Sequence, residues 1–324
     1  MNAQLDMFGL SGGQSGVAKP IAGKSVRKVA APLPLENEDL AKMLEATGGY
    51  RILRKLVSPS IVAEPRPGFP RIGVVIDTET TGLDRRVDEV IEVGAVSFTF
   101  AGDGSIGDVI GIYGALQKPT IPIPSAITKL TGITDDMVAD QAIDQRQLSL
   151  LIESADLIIA HNAAFDRPFC EKLSGGFASK DWACSIAEVD WRARGFEGSK
   201  LGYLVGQAGY FHDGHRAVDD CFALLTVLSQ VDGDGRSAFA ELYETSQRAR
   251  CRIFAENSPF DAKDRLKARG YRWSDGTDGK PKSWWTEVAE DVLEAELTFL
   301  RTEIYNRADA EPLVSRLTSA SRYK

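Results

Sequence analysis

The sequence lacks several features that would indicate a membrane-spanning, secreted or polyanion-binding protein. It has no apolar run close to the roughly 20 residues that a bilayer requires, and its N-terminus lacks the pattern of a signal peptide, so we expect a cytoplasmic protein. Its four cysteines show neither a CxxC motif nor a Cys/His spacing, so neither a zinc site nor a disulfide framework is indicated. The net charge of −8 argues against bulk electrostatic attraction to nucleic acid. Bound divalent cations would change that balance at a carboxylate site.

The composition is that of a soluble globular protein with about two domains, because 43% of the 324 residues are hydrophobic and 26% are charged. We predict four segments along the chain. These are a flexible tether at 1–38, a short helical segment with a Pro-rich connector at 39–69, a main domain at 70–235, and a helix with a small basic and aromatic α+β module at 236–324.

The main domain begins with a pattern typical of a mixed α/β sheet. Three apolar segments, 72–76, 90–97 and 108–116, are joined by short links and predict an antiparallel meander. A short apolar strand at 156–160 follows, with a helix directly after it at 163–173. Further helices are predicted at 125–131, 143–153, 183–194, 200–208, 217–230 and 237–252, and one or two short helices at 37–57.

Two acidic residues lie where the first strand ends, in the stretch DTETTG. Asp77 and Glu79 flank a single threonine, and alternate residues of a strand share a face, so their carboxylates point the same way. Two buried like charges are unfavourable without a cation, and carboxylate oxygens are the ligands of hard cations. Taken alone, an Asp-x-Glu pair is more often part of a solvated loop.

Two later stretches add residues of related chemistry. In HNAAFD, Asp166 falls at the beginning of a helix that follows a short strand, near a carboxyl end of the sheet. In HRAVDD, His215 lies in a loop and Asp220 in the first turns of an apolar helix, which suits a general base beside a metal. Taken singly, Asp219 or Asp220 could be a helix-capping acid, and His215 a surface histidine.

Together and in this order, DTETTG, HNAAFD and HRAVDD resemble the DEDD exonuclease superfamily in its histidine-containing branch, similar to the proofreading epsilon subunits of bacterial DNA polymerase III. The resemblance covers about residues 70–232. It implies a ribonuclease-H-like mixed sheet, with an antiparallel meander plus parallel strands and flanking helices. It also implies hydrolysis that releases nucleoside monophosphates from a 3′ end.

The resemblance also implies roles for single residues. It assigns four metal ligands, which are Asp77, Glu79, Asp166 and Asp220, with His215 as the general base. Asp219 is the local rival of Asp220, but the family spacing puts the ligand five residues after the histidine. The terminal nucleotide would lie against Thr80, Gly82 and Leu83, with Asn162 near its backbone.

All-oxygen ligation favours two Mg²⁺ or Mn²⁺ ions over zinc, and such a pair can hold the attacking and leaving oxygens of a phosphodiester in line. A histidine with an ordinary pKa near 6.5 can accept the proton of the attacking water. We therefore expect a 3′–5′ exonuclease acting on DNA in replication fidelity or repair. RNA 3′-end trimming is the alternative within the enzyme class, and a clamp-associated binding subunit with incidental activity is the alternative outside it.

The last part of the chain has a different character. Residues 248–282 hold ten Lys or Arg against five acids, a local net charge of +5. A short helix, a strand at 271–273, a loop and a strand at 283–285 predict a hairpin, closed by a helix at 288–305. Its three tryptophans, Trp273, Trp284 and Trp285, could stack on bases between cations, or could form the core of a small domain.

The first eight residues contain an apolar pattern ahead of a Gly- and Ser-bearing stretch. The residues Gln4, Leu5, Asp6, Met7 and Phe8 resemble the QL(S/D)LF-type peptide by which bacterial replication and repair proteins dock onto the sliding clamp, with Met7 in place of the usual leucine. The resemblance implies the clamp as a partner, reached through a flexible tether. A peptide without function is the alternative.

Overall fold

Apolar β-branched runs of the sequence form the long strands of the central sheet, in a computed structural model that describes residues 35–277 and 279–324. The strands are β1 (Arg54–Lys55), β2 (Arg71–Thr80), β3 (Val90–Phe100), β4 (Ile106–Leu116), β5 (Leu157–Ala160), β6 (Trp182–Cys184), β7 (Tyr210–Phe211), β8 (Arg250–Ala255), β9 (Arg272–Trp273), β10 (Trp284–Ala289) and β11 (Leu313–Leu317). A parallel pairing of β1 with β7 forms a separate two-stranded ribbon.

The α-helices of the described chain lie between and after these strands. They are α1 (Leu35–Ala46), α2 (Ser125–Thr131), α3 (Asp135–Val138), α4 (Gln145–Ser154), α5 (Ala163–Leu173), α6 (Ser185–Glu188), α7 (Leu201–Gln207), α8 (Ala217–Leu228), α9 (Ala238–Gln247), α10 (Lys263–Ala268) and α11 (Leu293–Phe299). Short 3-10 turns occupy Gly175–Ser179, Phe260–Ala262 and Glu290–Val292, and a π turn, Leu300–Ile304, extends α11. No helix in the described ranges is long and apolar enough to cross a membrane.

The central sheet has five strands in the order β4-β3-β2-β5-β6. The pairs β2–β3 and β3–β4 are antiparallel, whereas β2–β5 and β5–β6 are parallel. The predicted meander is therefore present, and the parallel strands follow it. This arrangement confirms the ribonuclease-H-like mixed sheet that the sequence predicts.

Alternate residues of the central strands pack into two apolar layers, one on each face of the sheet. Val75 packs with residues of α8 and α9, among them Phe222 and Phe239. Val74 and Ile76 pack on the other face with α4 and α5 and with Trp182 of β6. Because both faces are covered, the edge where β2 and β5 end becomes the place where polar side chains can collect.

A second, four-stranded antiparallel sheet in the order β11-β8-β10-β9 forms the C-terminal module. Its apolar layer is made with α10, α11 and the π turn, and it includes Ile253, Leu266, Leu297 and Leu300. The small α+β module and its hairpin at β9–β10 agree with the sequence prediction.

Three predicted helices differ from the structure. The helix predicted at 183–194 is instead the strand β6 followed by the single turn α6, because Trp182–Cys184 pairs in parallel with β5, and three residues are too few to show a strand period. The helix predicted at 237–252 ends at Gln247, and its last residues belong to β8. The helical segment predicted at 37–57 ends at Ala46, and Arg54–Lys55 pairs with β7.

Candidate active site

The C-terminal end of β2 carries the first two acidic residues of the site. Asp77 and Glu79 lie inside the strand rather than after it, with Gly94 and Glu92 of β3 as their partners across the ladder. Their side chains share one face of the strand, as alternate residues must. A register shift between Glu79 and Thr80 ends the regular pairing at this point.

Gly94 determines how close the helix α8 comes to these acids. A Cβ atom at this position would lie 2.3 Å from the backbone carbon of Ala217 and 2.4 Å from the nitrogen of Val218. The helix backbone therefore rests directly on β3, a contact that only glycine permits. Asp220, one turn further along α8, is brought to β2 by this contact.

Three of the four predicted ligands form one acidic cluster. Carboxylate oxygens of Asp77, Glu79 and Asp220 all lie within 4.8 Å of one another. Asp166, which is 3% exposed, lies in the first turn of α5 and accepts hydrogen bonds from Thr78, at 3.1 Å from the backbone N and 2.9 Å from Oγ1. The threonine between the two acids of β2 thus holds the third acid beside them.

Burial and mutual repulsion make ionisation of this cluster unfavourable. Burial, followed by the charges of Asp166, Asp220 and Glu79, raises the pKa of Asp77 well above its ordinary value. Burial and the charge of Asp220 raise the pKa of Glu79 to about 8. The pKa of Asp166 is raised to about 7 by burial, although the donors of Thr78 oppose the shift. An all-oxygen cluster with these properties fits a divalent cation, which would compensate the charge.

Two histidines contact the carboxylate of Asp220, one through its backbone N–H and the other through its imidazole. Asp220 Oδ2 accepts a hydrogen bond from the backbone N–H of His215 at 2.7 Å, and His215 has a φ of 65° that ordinary residues rarely adopt. Asp220 Oδ1 lies 2.8 Å from Nε2 of His212, whose side chain is 8% exposed. The sequence argument identified His215 and missed His212, since a histidine three residues before the motif carries no spacing signal.

Glu92 holds the beginning of α8 in place. Its carboxylate forms a bidentate pair with Arg216, with closest contact of 2.8 Å, and accepts the backbone N–H of Ala217 at 3.1 Å. A carboxylate at a helix N-terminus compensates both the free N–H groups and the helix dipole. Glu92 therefore fixes the residues between His215 and Asp220, a role that sequence reasoning missed.

All of the residues predicted for chemistry and substrate contact line one open cavity of about 740 Å³. The set comprises Asp77, Glu79, Thr80, Gly82, Leu83, Asn162, Asp166, His215 and Asp220. Residues not predicted complete the wall, among them Leu53, His161, Ile186, Lys200, Tyr203, Phe211 and His212. The apolar members give the cleft a surface on which an apolar part of a ligand can pack. The predicted clamp peptide, residues 4–8, lies outside the described residues.

His161, which is half-buried, supports the wall of this cleft. Nδ1 lies 2.6 Å from Oγ of Ser185, and Nε2 lies 2.7 Å from the carbonyl oxygen of Ser199. Burial lowers its pKa to about 4. The imidazole is therefore neutral at physiological pH and joins the start of α5 to the segments that carry α6 and α7.

Sequence comparison identifies relatives of the segment that builds this site. Residues 74–228 match the family model described as Exonuclease (RNase_T). DNA polymerase III subunit epsilon of Treponema pallidum (strain Nichols) is 32% identical over 166 residues, which are 47% of this chain and 74% of that protein. A DNA polymerase III of PolC type from Thermotoga petrophila (strain ATCC BAA-488 / DSM 13995 / JCM 10881 / RKU-1) is 33% identical over 155 residues, 45% of this chain. The chain spans only about a tenth of the length of that PolC-type protein, since the match covers 11% of it.

Structure comparison finds weaker similarity. A solved structure of exonuclease X in complex with 5′ overhanging duplex DNA has a TM-score of 0.37 and 22% identity over 52% of this chain and 99% of that one. The family assignment depends instead on the sequence match to the epsilon subunit, of which the aligned segment covers most. The family model spans β2, α5 and α8, the elements that carry the acidic cluster. The chain belongs to the exonuclease family.

Proposed function

We propose that this protein is a metal-dependent 3′–5′ exonuclease that removes nucleoside monophosphates from the 3′ end of DNA, in replication proofreading or repair. The observation that carries the proposal is the convergence of four carboxylates and two histidines in one cleft. The names of the relatives, epsilon subunit and PolC-type polymerase, support the proofreading role.

Each residue of the cleft has a role in this proposal. Asp77, Glu79, Asp166 and Asp220 would hold two Mg²⁺ or Mn²⁺ ions. When bound, such ions neutralise the phosphodiester and lower the pKa of a water molecule. His215 accepts the proton of the attacking water, and the loop it belongs to is fixed by the contact of its N–H with Asp220.

The substrate end would be positioned by residues of the cleft wall. Thr80 is the last residue of β2, Gly82 and Leu83 come just after it, and all three line the cavity beside the acids. Asn162 precedes α5, so it lies at the helix N-terminus, where backbone N–H groups favour a phosphate. We propose that the terminal nucleotide packs against the first three and that Asn162 contacts its backbone.

One gel tests the proposed function. End-labelled single-stranded DNA, a mismatched primer–template and RNA are incubated with the full-length protein in Mg²⁺ and in EDTA. We expect a ladder from the 3′ end on DNA in Mg²⁺ and none in EDTA. Faster digestion of RNA than of DNA would assign the protein to RNA 3′-end trimming instead. Asp77→Asn serves as the matched variant, and turnover equal to that of the unmodified protein would overturn the assignment.

We further propose that the protein works beside a polymerase and binds the sliding clamp through Gln4, Leu5, Asp6, Met7 and Phe8. Two or three apolar anchors in a preformed groove suffice for such docking. Replacement of Leu5 and Phe8 by Ala should leave digestion of short oligonucleotides unchanged and remove clamp binding in a direct titration. An unmodified protein that shows no clamp binding would contradict the proposal.

A further inference from the structure

The C-terminal module presents a second feature of chemical interest, on the sheet face opposite its helices. In the four-stranded sheet, Trp285 pairs with Phe254 on one side and with Arg272 on the other, so the three side chains share a face. Neighbouring Trp284 lies on the other face, where it packs against the apolar layer of the module. We call the face with Trp285 the Trp285 face.

Three cations surround the indole of Trp285. The guanidinium carbon of Arg272 lies 4.2 Å from the ring centroid, that of Arg252 lies 5.1 Å away, and Nζ of Lys280 lies 5.6 Å away. The carboxylate of Glu287 forms an ion pair with the guanidinium of Arg252 at 2.7 Å and compensates its charge. The face therefore combines one aromatic ring with three cations.

Trp273, the third tryptophan of the hairpin, has a different environment. Trp273 is 52% exposed and meets Trp284 edge to face, with ring centroids 5.6 Å apart. Trp284 fits the interpretation in which tryptophans form the core, because it packs in the apolar layer of the module. Trp285 fits the interpretation in which a tryptophan stacks on bases, because cations lie around its ring. The two readings thus apply to different tryptophans.

The β9–β10 loop lies within electrostatic range of Arg86, in the segment that follows the cleft residue Leu83. The pKa of Arg86 is raised mainly by its hydrogen bond to Asp84, and the charge of Asp275, in the β9–β10 loop, contributes. Asp84 follows Leu83, which lines the active-site cavity. A strand whose 3′ end occupies the cleft could therefore continue toward the module.

We propose that the Trp285 face binds single-stranded nucleic acid, with a base stacked on Trp285 and phosphates held by Arg272 and Lys280. The inference rests on the proposed function, because its occupant is the upstream part of the strand whose 3′ end lies in the cleft. Cations beside an aromatic ring match the alternation of bases and phosphates along a strand. The free energy of stacking a base on an indole is more favourable than that of an exposed cation–π contact. A base can therefore displace Arg272 from the ring, and the displaced guanidinium can bind a phosphate.

The test measures binding without hydrolysis, by fluorescence anisotropy of labelled oligo(dT) and oligo(U) 20-mers and an oligo(dT) 4-mer in EDTA. The full-length protein is compared with the double variant Arg272→Gln/Lys280→Gln. We expect about a 10-fold loss of affinity for the 20-mers, a change below about 2-fold for the 4-mer, and a salt slope lower by about 1.4 for two lost phosphate contacts. The arm with the larger loss tells whether the face is used for DNA or for RNA.

A matched double variant controls for charge. Arg265 and Arg316 are exposed and pair with Glu303 and Glu290, so Arg265→Gln/Arg316→Gln removes the same net charge elsewhere on the module. We expect it to bind like the unmodified protein. An equal loss in both double variants, or no loss in either, would overturn the inference.

Variants of the platform provide an independent measurement. Trp285→Phe keeps an apolar ring in the sheet but a smaller stacking surface, so we expect about a 3-fold to 10-fold loss on the 20-mers with an unchanged thermal unfolding temperature. Trp273→Ala is the aromatic control and should bind normally. Affinity for poly-glutamate together with no affinity for either 20-mer would assign the face to an acidic protein and overturn the inference.

The two proposals fail in distinguishable ways. If the unmodified protein digests DNA in Mg²⁺ but its 20-mer binding does not depend on Arg272 and Lys280, only the inference about the Trp285 face is wrong. If neither DNA nor RNA is digested in Mg²⁺, the proposed function is wrong, and a 20-mer affinity that still depends on the two cations supports the face alone.

Discussion

At the scale of single residues, Asp220 is the point where two histidines meet. His212 contacts its carboxylate through the imidazole, and His215 through the backbone N–H. His215 lines the cleft, and the imidazole of His212 positions the acid. The two residues should respond differently to substitution.

We expect His215→Ala to lower the rate of hydrolysis by roughly 10² to 10⁴ and to leave metal affinity unchanged, because it removes a general base. His212→Ala should instead weaken metal binding by roughly 10-fold to 100-fold, because an outer partner of a ligand is lost. Hydrolysis rates over a Mg²⁺ titration and calorimetric metal binding separate the two effects. Loss of metal affinity in His215→Ala would make His215 a ligand.

The raised pKa of Asp166, about 7, makes stability without metal depend on pH. As pH rises, Asp166 loses its proton near pH 3.9 in the unfolded chain but only near pH 7 in the folded chain. Its contribution to stability is therefore full below about pH 4 and is lost as pH rises through 7. In EDTA the unfolding temperature should therefore fall from pH 5 to pH 8.

Asp166→Asn keeps an acceptor for Thr78 but cannot ionise. We expect a smaller fall of its unfolding temperature over the same pH range, and a smaller gain when Mg²⁺ is added at pH 8. Differential scanning fluorimetry measures both. Parallel pH curves for the variant and the unmodified protein in EDTA would contradict the assignment of the shift to Asp166.

At the scale of elements, the site depends on how closely α8 packs on β3. Gly94 permits this contact, and Glu92 fixes the helix start two residues earlier on the same strand. Asp220 reaches Asp77 and Glu79 only because these two conditions hold. The packing of one helix thus decides whether the acidic cluster forms.

Gly94→Ala should lower the free energy of unfolding by roughly 1–3 kcal/mol and reduce hydrolysis, because the new Cβ displaces α8 and Asp220 with it. Gly111→Ala, in β4, is the matched control, since its Cβ would meet Ser97 at an ordinary 3.7 Å. Urea unfolding and the hydrolysis rate are measured for both. Equal effects at the two positions would show that the contact at Gly94 does not position the site.

At the scale of the whole molecule, the segment after β11 is part of the exonuclease fold. Arg167, which follows Asp166 and is completely buried, donates to the carbonyl oxygens of Arg322 at 2.7 Å and Ala320 at 2.8 Å. Arg322 forms a buried ion pair with Glu188. The carbonyl oxygen of Ser319 accepts the N–H of Trp182 in β6. The C-terminal module therefore cannot be removed without exposing these groups.

Deletion of residues 318–324 should lower the free energy of unfolding by roughly 3–5 kcal/mol, because it leaves the buried charges of Arg167 and Glu188 without these partners. Removal of Lys324 alone, which is exposed, is the control and should have little effect. Denaturant titrations of the two deletions are compared. Equal stability would mean that the buried groups find other partners.

The sequence by itself determined which acidic residues come together in the candidate site, and the first half of the sheet. The acids of DTETTG, HNAAFD and HRAVDD stand at fixed distances from strand ends and helix starts, and such local relations survive folding. The meander and α5 were predicted for the same reason, since their periodicity is contained in 5 to 11 consecutive residues.

The tertiary structure alone decided which residues support that chemistry. The strand β6 exists because β5 offers a parallel edge. His212 and Glu92 contact the site from outside its motifs, and residues 318–324 contact Arg167, beside Asp166, from the far end of the chain. The same holds for Trp284 and Trp285, adjacent in sequence but on opposite faces of one strand. Periodicity reports which residues share a face, whereas only packing decides which face is covered, and for that reason the support of the site could not be predicted.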